Sequence, residues 1–319
     1  MKAAFIEHLG SYSEIKYGEL PVPVINSNEV LVKVQKIAVN FVDTFVRSGG
    51  FKANVIFPFV IGRDAVGTVS QIGSEVTSFN IGDVVWTNSM GYDGRVGVSS
   101  EYTAVPAKRL YKVPTGVDTT QLIAAVHSAA TAVILLRDVL QVRSGQNILI
   151  EGGAGHVGQK LTEVAKILGL QTTTTSNQRN FNLMRELQVD HYYDYHQPVA
   201  EIEDDFDNIV DTSGKISLPI NLSKLNLHGK IGMITAPKAS AQEIDFQKFY
   251  TSVQSIRGFV ISHATEYQLA QTAEFLNRNF SKGKLLRDEV MTLPLSQASE
   301  AQRMLETHQT NGKKLILTI

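Results

Sequence analysis

A run of glycines near the middle of the chain, Gly152–Gly158, has the spacing of a dinucleotide-binding turn. Gly153, Gly155 and Gly158 form the pattern G-x-G-x-x-G. The apolar run Asn147–Glu151 precedes this pattern, and a helical pattern follows it. In such a frame the glycines allow a tight turn and a close approach of pyrophosphate, and the N–H groups at the helix start face the anion. The alternative is a close-packed turn that binds no ligand. The cofactor-binding residues predicted in this turn are Gly153, Gly155, His156, Val157 and Gly158.

The next predicted strand after the glycine turn ends at Ser176, and the residues that follow it indicate which nicotinamide nucleotide binds. NAD sites usually carry an Asp or Glu about 20 residues past the turn, where it accepts hydrogen bonds from the adenosine ribose. No acidic residue occurs between Glu163 and Glu186. The strand ends instead in Ser176 and Asn177, with Arg179 close behind, and these side chains can bind a 2′-phosphate. The sequence therefore favours NADPH, although Arg179 taken alone is equally typical of an exposed loop.

Composition excludes several kinds of chemistry. Cysteine is absent, so disulfides, thiolate nucleophiles and zinc sites that use sulfur are ruled out. The eight histidines include no H-E-x-x-H or comparable pair, and no metal is expected. The net charge is −1, with 30 Lys plus Arg against 31 Asp plus Glu. This balance offers no electrostatic argument for nucleic acid as a partner.

Targeting and membrane signals are also weak. The amino-terminal MKAAFIEHLG lacks the apolar run and the cleavage site of a secretory signal. Apolar runs such as Ala124–Leu136 are interrupted well short of the roughly 18 residues needed to cross a bilayer. We therefore expect a cytoplasmic protein with no membrane partner.

Two kinds of secondary structure must position these groups. Residues 1–120 contain short Val- and Ile-rich runs separated by Gly, Pro, Asn and Asp, which is typical of a small β barrel or sandwich. From Gln121 to Val260, helix-like and strand-like segments alternate, which indicates a doubly wound parallel sheet. A helical stretch and two further strand-like segments follow from about Ser262. The sequence thus predicts an α/β protein with two domains.

Several segments, taken in order, resemble one known family. Similarity to quinone oxidoreductases covers Ala38–Gly50, Phe57–Val76, Ile81–Val85, the glycine turn and Gly312–Ile319. The chain resembles the zinc-free quinone oxidoreductase, or zeta-crystallin-like, branch of the medium-chain dehydrogenase/reductase superfamily. The resemblance implies a GroES-like catalytic domain (residues 1–120 and 262–319) and a Rossmann NADPH-binding domain (residues 121–261). It also implies NADPH in the cleft between them, and a homodimer.

The resemblance bears on metal binding as well. Zinc-dependent members of the superfamily have Cys where this chain has Asn40, and Gly-His-Glu where it has Gly62-Arg63-Asp64. They also carry a four-cysteine lobe that has no counterpart here. A catalytic zinc requires three protein ligands and one open position. The resemblance therefore implies a site without metal.

Roles for individual residues are implied in the same way. Asn40, the candidate catalytic residue, lines the nicotinamide end of the cleft, and Thr131 contacts the nicotinamide. The other implied cofactor contacts are Ser176, Asn177, Arg179 and Tyr195 around the adenosine phosphate, Phe259 and Val260 beside the carboxamide, and Lys313 or Lys314 on the other flank. Plainer roles stay open: Asn40 satisfying buried backbone groups, Thr131 bonding to its own helix, and Tyr195 packing on the surface.

The remaining polar residues near these segments suggest no proton donor. Asp43 and Arg47 are four apart on a predicted helix and are interpreted as a structural ion pair. Many relatives have Tyr where this chain has Phe45, so a Tyr-assisted mechanism is not expected at that position. His127 lies in an apolar stretch and is interpreted as a core histidine. Other polar groups that could approach the cleft are Asp64, Tyr92 and Asp93.

Together these features predict hydride transfer from NADPH to a quinone or an α,β-unsaturated carbonyl. Without a metal to polarise a carbonyl, hydrogen bonds from Asn40 and nearby backbone N–H groups would stabilise the developing oxyanion. Two alternatives stay open. One is an enoyl-thioester reductase of the same superfamily, and the other is a non-catalytic NADPH-binding or nucleic-acid-binding protein.

Overall fold

The structure, a computed structural model, describes residues 1–51, 54–235 and 243–319 of the 319-residue chain. These residues form two compact units. The first comprises Met1–His127 and Thr265–Ile319, and the second comprises Ser128–Ala264. The domain limits inferred from the sequence, at residues 120 and 261, stay a prediction.

The strands of the described residues are β1 (Lys2–Ile6), β2 (Lys16–Glu19), β3 (Glu29–Ala38), β4 (Phe59–Val60), β5 (Asp64–Ile72), β6 (Val84–Thr87), β7 (Tyr102–Pro106), β8 (Leu110–Lys112), β9 (Asn147–Glu151), β10 (Gln171–Ser176), β11 (His191–Asp194), β12 (Phe206–Asp211), β13 (Leu225–Met233), β14 (Ser255–Gly258), β15 (Val290–Pro294) and β16 (Lys314–Thr318). The α-helices are α1 (Phe41–Ser48), α2 (Thr119–Val133), α3 (His156–Ile167), α4 (Phe181–Glu186), α5 (Leu218–Ser223), α6 (Phe246–Thr251), α7 (Glu266–Phe280) and α8 (Ala298–Glu306). A π-helix, Ile134–Val139, continues α2.

The first unit is organised around β3, the long strand of its larger sheet. The sheet has the order β15-β16-β3-β5-β6-β8, and β7 also pairs with β3. A second sheet has the order β2-β1-β4. Val30, Val32 and Val34 of β3 are buried at every second position, as the pleat of a strand requires. Because β16 pairs with β3, the carboxyl end of the chain returns to this unit.

Strand register brings three distant polar residues to one end of the β3 sheet. Ala38, the last residue of β3, is opposite Asp64 of β5 and opposite Ile316 of β16. Asn40 follows two residues later, as the N-cap of α1. Lys314 begins β16. Asn40, Asp64 and Lys314 therefore lie near one another, because β3 ends and β5 and β16 begin at the same edge of the sheet.

The second unit is built on a sheet whose strand pairs are all parallel. Its order is β11-β10-β9-β12-β13-β14, so the chain winds outward from β9 in one direction and then from β12 in the other. Ile148, Leu149 and Ile150 of the central strand β9 are fully buried. Such a sheet has its switch point at the carboxyl ends of β9 and β12, where ligands bind in open α/β folds. The prediction of an α/β fold with a doubly wound parallel sheet is confirmed.

The helical segment Thr119–Val139 is longer and more apolar than the sequence interpretation allowed. It spans 21 residues with a mean hydropathy of 1.6, which by length and composition suffices to cross a membrane. The charged pair Arg137 and Asp138 lies only at the carboxyl-terminal end of this segment. Its apolar window is 78% buried inside the protein, which is typical of a core helix.

Candidate active site

Asn40 is buried and its side-chain amide is hydrogen-bonded at both ends. Its Nδ2 donates to Oδ2 of Asp64 (2.7 Å) and more weakly to the carbonyl oxygen of Ala38 (3.4 Å). Its Oδ1 accepts a hydrogen bond from Nζ of Lys314. The backbone N–H of Asn40 donates to Oδ2 of Asp43 (2.8 Å). Asn40 is therefore held rigidly, with its amide N–H groups directed at other protein atoms.

Asp64 joins Asn40 to His127. Its Oδ2 accepts hydrogen bonds from Asn40 and from Nδ1 of His127 (2.9 Å), and its Oδ1 accepts one from the backbone N–H of Ser89 (3.0 Å). Burial acts to raise the pKa of Asp64, but His127, Arg63 and Lys314 together lower it below its ordinary value. Asp64 is therefore a carboxylate, and a carboxylate acts only as an acceptor. The Asn40 network, defined as Asn40, Asp43, Arg63, Asp64, His127 and Lys314, lies within the first unit.

The other titratable groups of the Asn40 network are shifted mainly by burial. Burial raises the pKa of Asp43 to about 7, against the opposing charge of Arg63. Burial lowers the pKa of His127 and that of Lys314, and in both cases the charge of Asp64 partly offsets it. Strongly shifted groups in one cluster are characteristic of functional sites, although structural networks produce them too.

The ion pair predicted between Asp43 and Arg47 is wrong. Both residues lie on α1 as expected, but Asp43 turns back to the N-cap of the helix and accepts the backbone N–H of Asn40. Arg47 instead forms an ion pair with Glu306 of α8, in which Nη2 donates to Oε1. The capping interaction outweighs the i, i+4 pairing because it satisfies an N–H group at the helix start.

Aromatic rings extend from the start of α1 toward a cationic group. The rings of Phe41 and Phe45 are 5.5 Å apart, and those of Phe45 and Phe51 are 5.6 Å apart. Phe51 continues to Tyr92 at 6.4 Å. Phe41 and Phe45 are almost half exposed, at 48% and 43%. The guanidinium of Arg95 lies 5.8 Å from the centre of the Tyr92 ring. An apolar ring surface is thus exposed on the helix that Asn40 caps.

The glycine turn of the second unit has the geometry of a strand–turn–helix motif. Gly152, directly after β9, has φ +82°, which a residue with a side chain rarely adopts. The N–H groups of Gly152 and Gly153 both donate to the carbonyl oxygen of Thr175 on β10. A Cβ atom on Gly158 would lie 2.3 Å from the carbonyl oxygen of Gly152, so the turn and α3 pack too closely for any side chain there. The tight turn depends on Gly152, which precedes the G-x-G-x-x-G pattern.

Gly155 differs from the other glycines of the turn because space is open beside it. It is exposed, and a Cβ atom there would meet only the carbonyl oxygen of Gly152, at 3.5 Å. It is also the N-cap of α3 and provides no side-chain cap. The N–H groups of the first helical turn have no partners within a helix and carry its positive dipole end. The backbone N–H of Gly155 donates to the carbonyl oxygen of Gly152 (3.0 Å), so the turn would offer a pyrophosphate the backbone N–H groups of His156, Val157 and Gly158.

Four predicted residues come together at the carboxyl ends of β10 and β11. Asn177 donates from Nδ2 to the hydroxyl of Tyr195 (3.1 Å) and accepts the backbone N–H of Arg179 on Oδ1 (3.0 Å). The backbone N–H of Tyr195 donates to the carbonyl oxygen of Ser176 (3.0 Å). Arg179 is exposed, and no ion pair of its guanidinium with another described residue is found. This β10–β11 cluster (Ser176, Asn177, Arg179 and Tyr195) offers hydroxyl, amide and guanidinium donors to an anionic ligand.

Beside this cluster lies an acid that the sequence interpretation did not consider. Asp194 of β11 is opposite Ser176 in the sheet register. Its Oδ1 accepts a hydrogen bond from the backbone N–H of His196 (2.9 Å). The same oxygen is hydrogen-bonded to Nδ1 of the His196 ring (2.6 Å). The backbone hydrogen bond from His196 is the main reason that the pKa of Asp194 is low. The ring of His196 in turn stacks on Tyr195 at 4.3 Å. Asp194 lies on the neighbouring strand β11, so the pattern of residues that follows β10 in the sequence does not include it.

The remaining predicted cofactor contacts have separate positions. Thr131 is buried on α2. Phe259 follows β14 and donates its backbone N–H to the carbonyl oxygen of Met233 (2.9 Å), and Val260 comes next. Lys313 is partly exposed, whereas Lys314 is buried and bonded to Asn40. Of the two lysines considered together, Lys314 therefore belongs to the Asn40 network.

The donor set around Asn40 does not suit a metal. Arg63 stands where zinc-dependent enzymes carry a His, and a guanidinium is always protonated and has no lone pair to offer. Both polar atoms of the Asn40 side chain are bonded to protein groups. Within residues 1–51, 54–235 and 243–319, no group of three or more His, Cys, Asp or Glu side chains has a metal-binding arrangement.

Known proteins resemble this chain over its full length. Residues 26–115 match the alcohol dehydrogenase GroES-like domain. The quinone oxidoreductase of Sus scrofa is 26% identical over 94% of this chain and 92% of its own. The chloroplastic NADPH-dependent alkenal/one oxidoreductase of Arabidopsis thaliana is 28% identical over 100% of this chain and 80% of its own. A mycobacterial quinone oxidoreductase has a similar structure (TM-score 0.85, 26% identity, 100% of both chains). A mycobacterial structure complexed with NADPH is similar too (TM-score 0.83, 26% identity, 100% of both chains).

The fold and the glycine turn thus define an oxidoreductase of the medium-chain dehydrogenase/reductase superfamily, with a GroES-like domain and a Rossmann fold. Within that superfamily the chain is similar to quinone oxidoreductases over its length, which supports the zeta-crystallin-like branch that its sequence motifs predicted. A pyridine nucleotide is the cofactor expected of this family.

Proposed function

We propose that the protein is a zinc-independent, NADPH-dependent reductase that transfers a hydride to a quinone or an α,β-unsaturated carbonyl. The observation that carries this proposal is the open space beside Gly155 at the uncapped start of α3. A pyrophosphate there would accept hydrogen bonds from the backbone N–H groups of the first turn. Bound NADPH would supply the hydride, and the protein would bind, orient and desolvate the reactants.

The β10–β11 cluster supports NADPH over NADH. The exposed guanidinium of Arg179 and the amide of Asn177 are suited to a 2′-phosphate. Asp194, the nearby acid, already has partners, because its Oδ1 accepts the backbone N–H of His196 and pairs with the ring of the same residue. Tyr195, which is 47% exposed, would add a ring and a hydroxyl for contact with the adenosine ribose. Thr131, Phe259, Val260 and Lys313 are proposed cofactor contacts on the strength of the family resemblance.

The surface around Asn40 supports a flat, conjugated acceptor. Phe41 and Phe45 are almost half exposed on the helix that Asn40 caps, and aromatic rings pack favourably on planar conjugated molecules. Asn40 itself donates to Asp64, so we assign it a positioning role rather than that of a free hydrogen-bond donor. An acceptor that is intrinsically electron-poor requires less polarisation than a simple ketone. Quinones and enones have that property.

We propose that the protein works without a metal. Arg63 has no lone pair for a metal, and both polar atoms of the Asn40 side chain are bonded to protein groups, so neither residue can act as a metal ligand. We further propose a cytoplasmic homodimer without a nucleic-acid or membrane partner. Light scattering of the purified protein tests the dimer, and fluorescence microscopy of a tagged chain tests its location.

The decisive experiment is NADPH oxidation with a panel of quinones, enones and enoyl thioesters at equal concentration. The proposal expects turnover with quinones or enones, each at least tenfold faster than with the thioesters. Preference for long enoyl thioesters would identify the protein as an enoyl-thioester reductase instead. Tight NADPH binding without turnover of any acceptor would favour a non-catalytic NADPH-binding protein.

A further inference from the structure

We propose that Glu151 takes up a proton when NADPH binds to the glycine turn, so that one buried carboxyl group makes the affinity for the cofactor depend on pH. The inference rests on the proposed function, because it concerns how the same turn holds the pyrophosphate. It involves residues of the second unit alone, in which Glu151 is the last residue of β9 and directly precedes Gly152.

Glu151 is a buried carboxyl group with little hydrogen bonding to compensate a charge. Only 1% of the residue is exposed. Oε2 accepts a hydrogen bond from Nδ2 of Asn221 on α5 (2.9 Å), whereas Oε1 is buried and has no hydrogen-bond partner among the described residues. A buried carboxylate requires several donors or a cation around it. One amide is not sufficient, so this environment favours the neutral, protonated acid.

The charge beside Glu151 in the sheet adds to this preference. Asp211, the last residue of β12, is opposite Glu151 in the parallel register, and its Oδ1 accepts two backbone N–H groups of the turn that follows. On the other side of β9, the uncharged Thr175 of β10 is opposite Glu151. Helix α5, Leu218–Ser223, contains no titratable side chain. Burial, with a contribution from Asp211, raises the pKa of Glu151 to about 8, against the hydrogen bond from Asn221.

The glycine turn connects Glu151 to the place where the cofactor phosphates would bind. Gly152 follows Glu151 directly, and its carbonyl oxygen accepts the N–H of Gly155, the N-cap of α3. A pyrophosphate at the start of α3 would therefore lie at the end of the strand that carries Glu151. Charge is screened less inside a protein than in water, so the phosphates act on the buried carboxyl group. Their negative charge favours its protonated form, and by linkage the protonated form favours the cofactor.

The proton balance gives the sign of the effect. Free protein with ionised Glu151, NADPH and one proton from solvent give a complex in which Glu151 is neutral. Well below pH 8 the group is protonated in both states and does not affect binding. As pH rises through about 8, the free protein loses the proton before the complex does, and the affinity falls. The 2′-phosphate of NADPH does not interfere, because a phosphate monoester completes its second ionisation near pH 6, at about two pH units lower.

The test measures the NADPH affinity of the full-length protein by fluorescence titration from pH 7 to 9.5. Glu151→Gln replaces the titrating group with a permanently neutral one of the same shape. Glu186→Gln is the matched control, because Glu186 is an exposed glutamate of the same unit. Glu151→Gln should match the wild type at pH 7 and bind NADPH about threefold more tightly at pH 9.5, the factor that corresponds to a half-unit rise in the pKa on binding. Glu186→Gln should follow the wild type at every pH.

Two further measurements test the proton itself. Calorimetric titration with NADPH at pH 8.5, in two buffers of different ionisation enthalpy, counts the protons taken up, and the wild type should take up more than Glu151→Gln. Asp211→Asn removes the neighbouring charge and keeps an acceptor oxygen for the turn. It should move the decrease in affinity to lower pH, and it provides a second test if Glu151→Gln does not fold. Thermal unfolding shows which variants are folded.

The outcomes separate the inference from the function on which it rests. Equal affinities of the wild type and Glu151→Gln at every pH, with equal proton uptake, would overturn the role of Glu151 and leave NADPH binding intact. An affinity difference of the same size at every pH would also overturn it, in favour of a structural role. A pH profile of Asp211→Asn identical to that of the wild type would contradict the inference as well. Absence of NADPH binding by the wild type at pH 7 would overturn both proposals.

Discussion

Gly158 and Gly152 are in such close contact that a Cβ atom on Gly158 would lie 2.3 Å from the carbonyl oxygen of Gly152. Three residues earlier, a Cβ atom on Gly155 would lie 3.5 Å from the same oxygen, which is an ordinary contact. The two glycines of one motif therefore serve different purposes. Gly158 is required for packing, whereas Gly155 leaves room for a ligand.

This contrast predicts different results for two substitutions. Gly155→Val should fold normally, because φ at Gly155 is −71° and its Cβ meets no obstacle. Its NADPH affinity should fall by about 2 kcal/mol or more, on the scale of a lost charge-assisted hydrogen bond plus a clash. Gly158→Ala should lower the stability of the apo protein by about 1–3 kcal/mol, because the packing has no space for it. Thermal unfolding and fluorescence titration with NADPH measure both effects. Unchanged NADPH binding by Gly155→Val would show that the turn is packing alone.

Arg179 is expected to select NADPH. The wild type should bind NADPH at least tenfold more tightly than NADH, a difference of about 1.4 kcal/mol. Arg179→Ala should lose most of this ratio by weakening NADPH binding and leaving NADH binding unchanged, because only NADPH carries the 2′-phosphate. Arg185→Ala is the matched control, since Arg185 is an arginine of the same unit that bonds to Tyr192 and Asn182. Equal affinities of the wild type for the two cofactors would refute the 2′-phosphate assignment.

Glu151 should make the protein less stable as pH rises. It is buried at the end of β9, where Oε2 accepts a hydrogen bond from Nδ2 of Asn221 (2.9 Å). Burial, with a contribution from the charge of Asp211, raises the pKa of Glu151 from 4.5 to about 8. Between these two values the folded protein retains a proton that the unfolded chain releases. The free energy of unfolding therefore falls with rising pH in this window, by up to about 1.4 kcal/mol per pH unit from this group.

Glu151→Gln mimics the protonated side chain and tests this pH dependence. The variant should match the wild type near pH 5 and exceed its unfolding free energy by about 1–3 kcal/mol at pH 9. Urea unfolding across the pH range gives the difference between the two proteins, so that the parallel contribution of Asp43 cancels. Glu186→Gln, an exposed position, is the control. A constant difference at every pH would show that Glu151 is not protonated in the folded state.

Metal removal should leave turnover unchanged. Arg63 and Asn40 occupy the positions of two zinc ligands and neither is available to bind a metal. Dialysis against a chelator, followed by the acceptor assay, is expected to give the same kcat as before dialysis. Stoichiometric zinc in elemental analysis, with activity that is lost on chelation and restored by zinc, would contradict the assignment.

Local features of the structure were predictable from the sequence because local spacing determines them. The alternation of Val30, Val32 and Val34 marks β3, and the apolar run before Gly152 marks β9. Gly169 follows the end of α3, where it has φ +80° and donates its N–H to the carbonyl oxygen of Lys166. Strand and helix periods, turn glycines and caps act within a few residues, so one-dimensional patterns describe them well.

The Asn40 network shows what tertiary structure decided. His127 and Asp64 are 63 residues apart in the chain, Asn40 and Asp64 are 24 apart, and Lys314 is 274 residues from Asn40. No spacing predicts such contacts. Those of Asn40 with Asp64 and Lys314 follow from the register of β3 with β5 and β16, and the contact of His127 with Asp64 depends on how α2 packs. The same limit explains why the Asp43–Arg47 pair was expected and why Asp194 was overlooked. The sequence by itself determined the family, the elements and the glycine turn, whereas the pairing of strands decided which polar side chains meet, since burial and partners depend on the whole sheet.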